Sequence, residues 1–183
     1  MRDIFSVTMV GEAVVAITIS LLLSLVMLVR LPDGGVITIF SVLPIMIFSF
    51  RHGVIKGMMV GILLGLFKIA LGAYYFVPFQ ALLEYPVALS TIGFVGIYKN
   101  SINRQKIQNV FLFLLCLFGI LSIRFAIYVF SGVLFFSDYA LNQSTWEYFA
   151  KYHSNVLIEN IAICIIFLFP IEQKIQLWKK RDR

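Results

Sequence analysis

Gly72 to Ala88 reads GAYYFVPFQALLEYPVA, and it joins two long apolar segments. It carries paired tyrosines, two prolines, Gln80 and the acid Glu84. A carboxylate a little over one turn into an apolar helix costs roughly 2.5–3.5 kcal/mol near a bilayer centre. Such a group therefore faces a cavity or a partner. Tyr74, Tyr75, Phe79 and Tyr85 surround it with flat apolar faces and polar tips, the lining of a small-molecule pocket. The stretch implies a membrane-embedded pocket for a small aromatic, cationic ligand.

Composition supplies the setting. The chain has 183 residues, 61% of them hydrophobic and only 13% charged, with a mean hydropathy of +0.95. A water-soluble domain of that length cannot hide so much apolar surface, so lipid is the solvent for most of it. The net charge of +6 does not point to nucleic acid, because Lys and Arg collect at the ends of apolar segments. Cys116 and Cys164 lie inside apolar runs and read as two buried small hydrophobes rather than a disulfide. No Cys or His spacing suits a metal. The first apolar run, Ala13 to Val29, exceeds a signal-peptide core and has no small-residue cleavage site after it, so it reads as a retained span.

Outward from the central stretch, the whole chain, residues 1–183, reads as a single all-α membrane domain of six transmembrane helices. The spans are 7–29, 36–50, 54–71, 79–98, 107–136 and 146–170. The first stops at Arg30, Pro32, Asp33 and the Gly34–Gly35 pair, and the second, interrupted by Pro44, reads as a kinked or tilted span that ends at Arg51-His52-Gly53. The third carries Gly57, Gly61 and Gly65 at four-residue spacing, a stripe that lets another helix approach closely. Lys68, three residues beyond Gly65, either snorkels outward or enters the pocket. Glu12, near the start of the first span, reads as an interfacial acid, and His52 as an interfacial residue.

Charge placement gives direction. Arg2, Arg51, Lys56, Lys99, Arg104, Lys106, Lys174, Lys179, Lys180, Arg181 and Arg183 fall at the termini, the 2–3 loop or the 4–5 loop. Only Arg30, Lys68, Arg124 and Lys151 lie elsewhere. The positive-inside rule then makes both termini cytoplasmic. Glu84, Tyr74, Asp138, Trp146, Tyr148, Tyr152, His153, Asn155 and Glu159 share the outer half. That cluster reads as an outward-facing pocket, with a plain aromatic belt as the alternative. Enzyme motifs are missing: there is no Ser-x-x-Lys, no His/Asp metal set and no phosphate loop. A polar stripe through every span, as a channel needs, is missing too. With no ATP-binding signature, active transport requires a partner that supplies energy.

Particular residues carry a likeness. They are Gly34-Gly35, Pro44, Arg51-His52-Gly53, the glycine stripe, Gln80, Glu84-Tyr85-Pro86, Ala88, Gly93, Gly96, Arg124-Phe125, Ser131-Gly132, Trp146 and Glu159. In these the chain resembles the thiamin-type S-components of energy-coupling factor (ECF) vitamin importers, with the Gln80–Ala88 block the most specific part. The resemblance implies a multi-pass protein of a bacterial plasma membrane that captures a small aromatic vitamin from outside. It implies handover to an ECF transmembrane coupling protein and two cytoplasmic ATPases, with no cofactor. It assigns Glu84 to the thiazolium cation and Tyr74 and Tyr85 to the wall. Ala13, Ala16 and Ser20 on the first helix become the coupling interface.

The likeness is incomplete around the ligand. Tyr128 stands where the family has His, Phe136 where it has Trp, and Tyr152-His153, with Asn155 just beyond, where it has Tyr-Asn. Lys68 replaces a neutral polar residue. The candidate ligand-binding set is Glu84, Tyr85, Tyr74, Tyr128, Phe136, Trp146, Tyr148, His153, Asn155 and Lys68. Thiamin is the first expected ligand, and a vitamin B6 compound such as pyridoxine the alternative on the same scaffold. A small intramembrane enzyme and an assembly subunit are the readings from other classes.

Overall fold

The computed structural model describes residues 6–30, 36–38, 40–73, 75–99, 110–137 and 144–166. Helix α1 spans Val7–Leu25 and starts on a Ser6 cap whose side chain accepts from the Met9 N–H. A short antiparallel pair follows, β1 (Met27–Arg30) against β2 (Val36–Thr38). Next come α2 (Leu43–His52), α3 (Val54–Ala70), α4 (Pro78–Tyr98), α5 (Val110–Phe135), α6 (Thr145–Tyr152) and α7 (Ser154–Ile166).

Three sequence expectations change here. Residues 27–30 and 36–38 are paired strands, not the end of one span and the start of the next. Apolar, β-branched runs flanking a Gly-Gly turn suit a hairpin as well as a helix. Pro44 does not kink a span, because it sits in the first turn of α2, where a missing N–H costs nothing. The expected 146–170 span is two helices, α6 and α7, meeting at His153.

Helix α3 lies antiparallel to α4 at backbone contact. A Cβ at Gly61 would strike the backbone of Leu89 and Ser90, and one at Gly65 the backbone of Tyr85 and Pro86. Gly57 meets Ser49 and Gly93, while Gly96 meets Gly53 and Val54. The glycine stripe therefore has a reciprocal stripe on α4. Between α2 and α3 the chain turns at Gly53 with φ +93°, a conformation that favours glycine.

Helix α4 changes winding along its length. It is α-helical over Pro78–Leu82, π-wound over Leu83–Val87, α-helical again to Ser90 and 3₁₀ over Thr91–Tyr98. Pro86 causes the wide turn: it has no N–H to donate, and its ring would clash with the carbonyl four residues back in a regular helix. The Ser90 and Thr91 hydroxyls donate to the Val87 and Ala88 carbonyls, each at 2.7 Å. They occupy acceptors beside the joint where the helix tightens.

The core gathers Ile45, Met46, Leu64, Ile92, Leu117, Leu121 and Ile163, from α2, α3, α4, α5 and α7. Outside it, large apolar side chains such as Val14, Leu22, Phe111 and Leu115 are exposed. Helices α1, α4 and α5 are long and apolar enough to cross a membrane. At ~1.5 Å per residue, some 20 residues reach across about 30 Å of hydrocarbon. Cys116 and Cys164 are free thiols, but Cys116 is exposed and Cys164 half-buried, so neither is the buried residue expected. An apolar run that faces lipid looks in sequence like one that faces a core.

Glu12 joins α1 to the end of α2. Its carboxylate accepts from Arg51 Nη2 at 2.8 Å, and His52 Nε2 lies 2.7 Å from its other oxygen. Arg51 is well exposed, so solvent screening leaves the pair little net stability. Ala16 and Ser20 are buried within the bundle, and Ala13 packs against the core. The open face of α1 carries Gly11, Val14, Val15 and Thr18 instead. Ala16 and Ser20 are internal packing positions, because the small residues lie on the side where α1 meets α2 and α3.

Gly61→Leu is expected to lower stability by about 1–3 kcal/mol or more, since the side chain would enter the Leu89–Ser90 backbone. Gly119→Ala, where a Cβ meets no atom within 4 Å, should leave stability unchanged or raise it slightly through helix propensity. Thermal unfolding of both variants in detergent checks the contrast; equal midpoints would show that α3 and α4 do not touch at Gly61.

Candidate functional site

A cavity of about 380 Å³ opens where α4, α5 and α6 converge. Phe76, Gln80, Glu84, Tyr85, Gly132, Phe136, Tyr148, Phe149, Tyr152 and His153 line it. Glu84 and Tyr85 sit in the π turn that Pro86 imposes on α4. Gly65 of α3 presses on the backbone of that same turn. The acid therefore stands on a part of the backbone that has little room to move.

The aromatic walls are mutually supporting. Phe76 meets Phe136 edge-on with ring centroids 5.3 Å apart, and Tyr148 meets Phe149 edge-on at 5.0 Å. Phe149 lies over Gly132, where any Cβ would run into its ring. His153, at the α6–α7 joint, packs against Tyr152 at 4.9 Å. Tyr128 stacks on His153, with centroids 5.4 Å apart and planes 19° from parallel.

Of the residues expected at the ligand, Glu84, Tyr85, Phe136, Tyr148 and His153 line the cavity. Tyr128 backs it through His153 rather than facing it. Trp146, which is exposed, Asn155 and Lys68 fall outside the lining among the described residues. Tyr74 lies outside the described residues. Sequence reasoning left Phe76, Gly132 and Phe149 out of the site, put Tyr152 in the outer cluster but not in the ligand-binding set, and put Gln80 only in the surrounding stretch. Helical spacing supplies the signal for two of them: Tyr148 and Tyr152 are four apart on α6, with Phe149 beside them. Phe76 and Gly132 carry no sequence signal of their own.

A second polar layer lies behind the site. Arg124 of α5 donates from Nη2 to Glu159 Oε2 of α7 at 2.6 Å, and both side chains are almost wholly buried. The Arg124 guanidinium stands 6.0 Å from the Tyr128 ring centroid. Lys68 is half-buried and does not line the cavity. Asn160, fully buried beside Glu159 in the sequence, has neither amide atom hydrogen-bonded among the described residues.

One carboxylate faces an aromatic enclosure, which holds a flat ring by its faces and meets a positive or donating centre with the acid.

The family described as thiamine transporter protein (Thia_YuaJ) matches residues 10–179. A relative from Bacillus subtilis (strain 168), named thiamine transporter ThiT, is 32% identical over 149 residues, 78% of this chain and 77% of its own. A solved structure of ThiT from Listeria monocytogenes superposes with a TM-score of 0.69 at 23% identity, covering 91% of this chain and 97% of the other. The last likeness establishes a shared fold.

The ion pair behind the site generates its own expectation. Arg124→Met should destabilise the protein by about 3–5 kcal/mol, because it strands the Glu159 charge in an apolar interior. Arg124→Met combined with Glu159→Met should recover most of that loss. Unfolding midpoints of the single and double variants decide: a double variant as unstable as the single would show that the arginine's packing, and not its charge, holds α5 to α7.

Proposed function

Because the chain belongs to the thiamine transporter family, we propose that it is the substrate-binding component of a vitamin importer, taking thiamin from outside the cell into the Glu84 cavity. The reading is carried by one observation: the cavity encloses a single carboxylate in aromatic rings. Thiamin offers the complement, a flat cationic ring joined to a second flat ring. Glu84 pairs with the positive ring while Tyr85, Phe136, Tyr148 and His153 supply stacking faces.

The chain crosses the plasma membrane six times, with both termini on the cytoplasmic side, where its basic segments concentrate. It hydrolyses no ATP itself. An ECF coupling protein and two ATPases supply the energy for release inward, and the open face of α1 is the side offered to the coupling protein.

Titration of purified protein with thiamin, pyridoxine, pyridoxal and riboflavin tests the assignment. Thiamin should bind well below millimolar. Glu84→Gln should weaken it roughly 10-fold to 150-fold, the loss of one charge-assisted hydrogen bond. Pyridoxine binding more tightly than thiamin would move the protein to vitamin B6. No binding of any of the four would end the vitamin reading, and an unchanged Glu84→Gln would make the acid structural.

Orientation is tested separately in a Cys116→Ser, Cys164→Ala background. A cysteine placed at Gln143 should react with an impermeant thiol reagent on intact cells, while one at Gln105 or Lys180 should not. Labelling at Gln105 from outside would invert the topology.

A further inference from the structure

Glu84 does not offer both of its oxygens to the cavity. Its Oε1 accepts from Gln80 Nε2 at 3.1 Å and from Ser131 Oγ at 2.8 Å. A carboxylate oxygen has about two acceptor positions, so two donors fill it. Oε2 has no hydrogen-bond partner among the described residues.

The Gln80 donor cannot simply be reversed. Its Oε1 accepts from the Phe76 backbone N–H at 3.0 Å, which leaves the amino end facing Glu84. Gln80 is 7% exposed and Ser131 fully buried, so neither exchanges its acceptor for bulk water. The two donors come from different elements, Gln80 from α4 and Ser131 from α5. They hold the acid from two sides.

We infer that Gln80 and Ser131 are positioning residues that make Glu84 a one-oxygen acceptor, and that the site thereby selects ring cations without N–H donors over ligands that present paired N–H donors to a carboxylate fork. Paired donors, as in an amidinium, draw their strength from engaging both oxygens at once. A ring cation with delocalised charge needs only one exposed oxygen nearby. This rests on the thiamin-pocket reading and names the specificity of that same site.

Three probes separate the possibilities: thiamin, its neutral thiophene analogue in which carbon replaces the positive ring nitrogen, and benzamidine. Each is titrated against wild type, Gln80→Met, Ser131→Ala and Ser131→Thr, with thermal unfolding as the check that every variant is folded. Gln80→Met and Ser131→Ala should each weaken thiamin about tenfold, and the thiophene analogue by less than about threefold. Benzamidine should gain relative to thiamin, because Oε1 is freed. Ser131→Thr, which keeps the hydroxyl, should behave as wild type. Equal losses for thiamin and its neutral analogue, or no loss for either, would overturn the inference while wild-type thiamin binding still stood. Failure of wild type to bind thiamin would instead overturn the pocket reading and the inference with it.

Discussion

Everything at the site depends on a proline inside an apolar helix. Pro86 cannot complete the hydrogen-bond ladder of α4, and an interior proline costs a helix about 3 kcal/mol. The chain responds by widening one turn, Leu83–Val87, and that turn carries Glu84 and Tyr85. A widened turn is tolerable only if something braces it. Gly65 does so, since its missing side chain lets the α3 backbone lie directly on Tyr85 and Pro86. The glycine stripe and the acid, which look like separate motifs in sequence, are two halves of one device: close helix packing makes the irregular turn rigid, and the irregular turn aims the carboxylate.

The polar groups divide into two layers with different duties. In the outer layer Glu84 receives donors from Gln80 and Ser131 and faces the cavity. In the inner layer Arg124 and Glu159 neutralise one another across α5 and α7. Tyr128 stands between them, stacked on His153 toward the cavity and lying beside Arg124 on the other side. A buried ion pair adds little net stability, because desolvating two charges offsets most of their attraction. What it adds here is register: α5 and α7 can meet at few other offsets without stranding a charge in an apolar interior.

The sequence disclosed the features whose cost is visible in a residue type. An acid in an apolar helix, glycines every four residues, and a proline beside the acid all announce constraint, and Glu84, Gly61 and Gly65 stand where that reading puts them. It failed where two structures share one composition. The runs Met27–Val29 and Val36–Thr38 are apolar or β-branched, which suits a span or a strand alike. His153 gives no warning that it separates α6 from α7. Small residues on α1 signal close packing but not with whom, and Ala16 and Ser20 turn out to face the bundle. Direction of exposure is the hardest property to read in a lipid-facing chain, because both core and lipid accept the same side chains.

The cavity's two walls are built to different standards, and that difference bears on recognition. The charged wall is backbone against backbone: α4 on α3, with no side chain between them at Gly61 and Gly65. The aromatic wall is side chain against side chain, an eight-residue α6 whose buried anchor, Phe149, rests over Gly132. Backbone contacts admit almost no adjustment, whereas aromatic rings can tilt and slide at small cost within edge-on and offset geometries. The position of the charge is therefore the fixed coordinate of the site, and ring shape is the adjustable one. A scaffold built this way can change the size of its cavity through residues such as Phe136 while leaving the Glu84 carboxylate in place, because the position of that acid is set by the packing of α3 against α4.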